Sequence, residues 1–194
     1  MSRAEQVLTM LYQRTTPSVR RRGRTWYPEA RRRCQALADQ YGHTLAQVAA
    51  VLAITSVDAQ LTVNFRWTEE ILRGEREAGR YPANQAPKVR AALASCRPGR
   101  FVSGPKVEPF YRAIMGDTDS LVLDRWAIMT AVGNRRKHLP RAVREEIEYA
   151  YRSAASTCNE TVRAFQAITW IAVRETTPKR GRFVVVPRLA DITT

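Results

Sequence analysis

Cysteine is scarce and poorly placed for metal or disulfide chemistry. Cys34, Cys96 and Cys158 are far apart and odd in number, with no Cys-x-x-Cys pair and no Cys/His cluster. That spacing argues against structural zinc, an iron–sulfur centre or a disulfide framework, so no metal and no cofactor is expected. Scattered thiols suit a reducing compartment. Long apolar runs are missing too. No segment approaches the ~20 residues of a membrane-spanning helix, and residues 1–30 lack the apolar core of a signal peptide. The expectation is a soluble cytoplasmic protein with no membrane association. Lysine occurs only at 88, 106, 137 and 179, and the two histidines, His43 and His138, stand alone. Sustained strand alternation, internal repeats and low-complexity stretches are absent.

What is present is a folded, strongly basic chain. Its 194 residues are 44% hydrophobic and 26% charged, a composition that can bury a core. The 32 basic residues outnumber 18 acids, for a formal net charge of +14. A field of that sign attracts polyanions. The bias of arginine over lysine is also what a GC-rich coding sequence produces, but genome composition does not explain the excess of bases over acids.

Hydrophobic periodicity is helical almost throughout. An amphipathic piece over 2–14 carries Val7, Leu8, Leu11 and Tyr12. A basic loop, TTPSVRRRGRT, is expected over 15–25, with a helix from Pro28 to Tyr41 stopped by Gly42. Thr44 is placed to cap the apolar segment LAQVAAVLAI, which must be buried. Further helices are expected near 59–78, 88–96, 105–115, 121–132, 140–156 and 159–175. Thr157 and Glu160 match a capping box for the last of them. The fold class is all-α, with about nine helices and an extended C-terminal tail over 176–194.

The segment GPKVEPFYRAIMGDTDSLVLDRWA, residues 104–127, sets Lys106 and Asp124 eighteen positions apart around one helix and a polar loop. In chemical terms, a carboxylate in a water-poor pocket can stabilise positive charge developing on a sugar. An amine can attack the same carbon and form a Schiff base if it is neutral. Asp124 is equally a candidate helix cap, and Lys106 a solvated turn residue or a phosphate contact.

This segment resembles the helix-hairpin-helix DNA glycosylases, the superfamily of endonuclease III and 8-oxoguanine glycosylase. The matching parts are the hairpin Ser103-Gly104-Pro105-Lys106, the helix with Val107, Phe110, Tyr111 and Ile114, the Gly116–Ser120 loop and Asp124. LAITSVDAQLTVN and FQAITWIAVRE are similar to the family's pocket-lining and closing segments, so the likeness spans about 45–175. GPK…FY…G…LDRWA patterns also resemble small phage-associated glycosylase-like proteins. The resemblance implies one domain of two helical lobes with the active site between them, Asp124 as the acid and Lys106 as a nucleophile. DNA contacts would come from Ser103, Gly104, Arg100 and Arg125. A base pocket would draw on Asp58, Asn64, Trp67, Tyr111 and Trp126, although helical spacing equally suits core positions for the aromatics and caps for Asp58 and Asn64. The partner implied is double-stranded DNA with a flipped base, and the protein a monomer. Three departures stand out. Val102 occupies the hairpin's usual first glycine, cluster-ligating cysteines are missing, and Arg125-Trp126 follows the acid. Base excision, base hypermodification of a pyrophosphorylase-like kind, and DNA binding without catalysis all remain open.

Overall fold

The computed structural model describes residues 1–56, 59–75, 85–133 and 139–176. Among them are nine α-helices, one 3₁₀ turn and no strand, so the fold is all-α. The expected C-terminal tail, Asp58 and His138 lie outside the described residues. None of the described helices is long and apolar enough to cross a membrane. The chain divides into two compact units, one from Met1–Trp26 with the chain beyond Leu121, the other from Tyr27–Ser120.

The first unit contains α1 (Arg3–Gln13), the start of α2 (Pro17–Tyr41), α7 (Arg125–Val132), α8 (Arg141–Thr157) and α9 (Val162–Thr176). Ser2 and Glu5 close a capping box on α1. Leu8 and Tyr12 then enter a core with Ile147, Tyr151, Phe165 and Ile168. Alanines 150 and 154, one turn apart on α8, are fully buried and let neighbouring helices come close. Phe165 stacks on Tyr12 at 5.5 Å and meets Tyr151 edge-on at 6.2 Å. The Tyr12 hydroxyl donates to Glu160 at 2.7 Å, and Arg24 reaches the same carboxylate at 2.6 Å. At Gly23 the backbone of α2 lies against α9: a Cβ there would fall 2.3 Å from Ile168 Cγ1 and 2.7 Å from its Cα.

The second unit contains the rest of α2, then α3 (Leu45–Ile54), α4 (Leu61–Leu72), α5 (Ala86–Ala94), the 3₁₀ turn Pro98–Phe101 and α6 (Val107–Met115). Val48 through Ile54 are all buried, so α3 is the central helix of this unit, against α5, α6 and the 3₁₀ turn. Thr44 caps it through Gln47, as its sequence predicts. Trp67 packs with Ala86, Val63 and Ile71. The Arg33 guanidinium lies 4.1 Å over the Phe65 ring.

Three local expectations are corrected. Residues 17–25 are helix rather than loop, and Pro28 sits inside α2 instead of opening it. Pro17 takes the first helical position, and Thr16 accepts the Val19 N–H at 3.3 Å. Burial of Val19 and Gly23 holds this arginine-rich stretch in helix. Leu121–Leu123 are buried but not helical, and α7 begins only after Asp124. Thr157 closes α8, and its hydroxyl donates to Ser153 O, whereas Thr161 receives the Ala164 N–H at the head of α9. The glycine stops hold: Gly42, Gly116 and Gly133 take positive φ after α2, α6 and α7.

Candidate active-site residues

In the second unit, α5, the 3₁₀ turn and α6 build a hairpin that packs on α3. Gly104 makes its bend at φ +115°, a conformation that L side chains rarely adopt, and it is exposed with open space around it. Its carbonyl accepts the Glu108 N–H at 3.2 Å, which starts α6. Ser103 is exposed, and its hydroxyl accepts from Lys88 Nζ at 3.1 Å, tying the bend back to α5. Arg100 is exposed on the 3₁₀ turn. Val102 is only 5% exposed, so its side chain is committed to packing. Tyr111 lies half-buried against the same turn: a Cβ on Gly99 would come within 3.3 Å of its hydroxyl, and burial pushes its phenol pKa up.

Lys106 precedes α6, and its ammonium donates to the backbone carbonyl of Ser56 at 2.7 Å. Ser56 follows the C-terminus of α3, where unsatisfied carbonyls carry partial negative charge. That carbonyl is one of the acceptors a helix C-terminus leaves open, and the lysine satisfies it. The Ser56 hydroxyl is buried without a hydrogen-bond partner among the described residues. Alongside, Asn64 is 1% exposed. Its amide donates to Leu52 O at 2.8 Å, and the Thr55 hydroxyl meets its oxygen at 2.6 Å. Asn64 therefore braces α4 to the end of α3. Trp67, 8% exposed, lies in the unit's small apolar cluster.

In the first unit, Asp124 is the N-cap of α7. Its Oδ1 accepts both the Trp126 N–H at 2.9 Å and the Ala127 N–H at 2.8 Å. The carboxylate thereby satisfies two N–H groups that the first turn of the helix would otherwise leave open. Leu121, Val122 and Leu123 before it are buried, which anchors the acid from behind. Its charge also reaches Tyr151, a fully buried phenol whose hydroxyl donates to Ala127 O at 3.0 Å. Desolvation first and the Asp124 charge second push that phenol far above its ordinary range. Arg125 is exposed, and Trp126 is half-buried.

The profile of a family of unknown function, DUF7178, matches residues 1–177. The chain belongs to that family. No curated protein matches it, and no solved structure does.

Within this DUF7178 chain, sequence reasoning missed three participants. Ser56, the acceptor for Lys106, is fifty residues away and carried no local signal. Tyr151, twenty-seven positions from the Asp124 charge that reaches it, carried no local signal either. Arg174 lies over the rings of both Trp170 and Trp126, with its guanidinium carbon 4.8 and 5.8 Å from their centroids. The four-residue spacing of Trp170 and Arg174 was a readable signal for that pair. Among the described residues of this DUF7178 member, no group of three His, Cys, Asp or Glu side chains could hold a metal ion.

Proposed function

We propose that this chain is a DNA glycosylase that hydrolyses the N-glycosidic bond of a modified or damaged base. The observation that carries the reading is Asp124, an acid held at the head of α7 behind three buried apolar residues and fixed there by two backbone N–H groups. Its charge would stabilise the sugar cation as the C1′–N bond breaks and the electron pair leaves with the base. Water then supplies the new bond to C1′: its hydroxyl stays on the sugar and its remaining proton goes to the base. Lys106 is assigned a cationic rather than a nucleophilic role, because its Nζ is already engaged as a hydrogen-bond donor to the Ser56 carbonyl. A Schiff-base route would require that proton to leave first. The exposed Ser103, Gly104, Arg100 and Arg125 are assigned to DNA phosphates, in keeping with the net charge of +14.

The test is incubation of the protein with DNA carrying candidate modified bases, with product analysis for free base and borohydride trapping for a covalent adduct. Base release without a trapped adduct is expected, and Asp124→Asn is expected to abolish it. Full activity in Asp124→Asn would overturn the assignment. One observation favours a second reading, a DNA-binding module without catalysis. The buried Val102 stands where the resembling hairpins have a glycine whose backbone approaches phosphate. Salt-dependent DNA binding with no release of any base would select that reading.

A further inference from the structure

Three of the chain's four tryptophans belong to the first unit, and one arginine covers two of them. Trp170 and Arg174 lie one turn apart on α9, so their side chains share a face. The guanidinium covers Trp170 at 4.8 Å and Trp126 at 5.8 Å. Trp26 meets Trp170 edge-on at 5.6 Å. All three indoles are only partly buried, and Arg174 is exposed. Trp26 and Trp170 border the unit's core without entering it. The indole N–H of Trp170 points inward, buried and without an acceptor among the described residues, so a ligand could meet this indole only by its ring face.

We propose that Trp126, Trp170 and Arg174 form a stacking surface for unpaired nucleobases, so that the chain prefers single-stranded to duplex nucleic acid. Indole and guanidinium planes both stack on the flat face of a base. A duplex hides those faces and presents base edges and phosphates, so such a surface has little to hold there. The strand's phosphates answer the net charge of +14. The surface adjoins Asp124, whose Oδ1 takes the Trp126 N–H, yet the inference rests on ring and guanidinium geometry alone. It stands or falls separately from glycosidic bond cleavage.

The experiment titrates the full chain with a fluorescently labelled oligothymidylate of about twelve nucleotides and with a duplex of equal length. Label anisotropy reads affinity, and tryptophan emission reads stacking. The single strand is expected to bind at least about fivefold tighter than the duplex and to quench emission. Arg174→Lys keeps the charge and removes the plane, so it should weaken single-strand binding by roughly fivefold while leaving duplex binding within about twofold. Trp126→Phe should reduce the quench. Equal affinity for both forms, absence of quenching, or an equal loss for both in Arg174→Lys would overturn the proposal and leave Arg174 as a cation–π brace at the edge of the core. Arg174 is exposed, so its variant tests the surface without disturbing the fold, and a circular-dichroism melt verifies this.

Discussion

At Asp124, capping and the proposed chemistry can be separated by substitution. Asparagine caps helices about as well as aspartate, whereas alanine does not. Asp124→Ala should cost about 1 kcal/mol of stability, read as a lowered midpoint in urea. Asp124→Asn should melt close to wild type while losing base release entirely. A cap-only residue would give the opposite pattern, with activity following stability. The cysteines offer a second comparison at this scale. Burial pushes the Cys34 thiol up to about 12, while Cys96 is exposed. At pH 8, Cys34 stays protonated and enclosed, so a thiol reagent should label Cys96 first and Cys34 only after unfolding. Peptide mass mapping before and after denaturant checks the order. Labelling of Cys34 at the rate of Cys96 would contradict its burial.

Among the elements, the approach of α2 to α9 depends on one missing side chain. A Cβ on Gly23 would sit 2.3 Å from Ile168 Cγ1 and within 2.7 Å of its backbone, so the two helices would have to separate. Gly23→Ala should destabilise by roughly 1–3 kcal/mol, despite alanine's better helix propensity. A gain in stability would mean that the contact is looser than described. The turn after α6 carries a pH dependence. Asp117 has its pKa lowered first by the Asp119 N–H, then by Ser120 and Arg112, against desolvation. A depressed folded-state value means that its stabilisation is present above the unfolded carboxylate value of about 3.9 and lost as pH falls through the folded value. The stability difference between wild type and Asp117→Asn should therefore be largest near neutrality and shrink below about pH 4. Denaturation midpoints measured across that range check the sign.

Over the whole molecule, +14 of net charge makes any nucleic-acid binding strongly salt-dependent. Neutralising only two phosphates would lower affinity about tenfold between 50 and 200 mM salt, and more contacts would steepen the slope. Anisotropy titrations at several salt concentrations measure it. A flat dependence would remove nucleic acid as the partner class.

Features decided by neighbouring residues were legible in the chain itself: the all-α class, the wholly apolar α3 with its Thr44 cap, and the glycine stops at 42, 116 and 133. Their causes, including periodicity, capping hydroxyls and tolerance of positive φ, act within a turn or two. Tertiary structure decided what depends on distant partners. Arginine-rich residues 17–25 read as loop, yet Val19 and Gly23 are buried against a core completed by residues beyond Leu121. The partner of Lys106, the Ser56 carbonyl, lies fifty positions away, beyond the reach of any local pattern. Asp124 was legible as an acid near a helix start. Its role as the α7 cap rests on Leu121–Leu123 staying buried and out of the helix, because apolar periodicity alone continues a helix through a segment that packing stops.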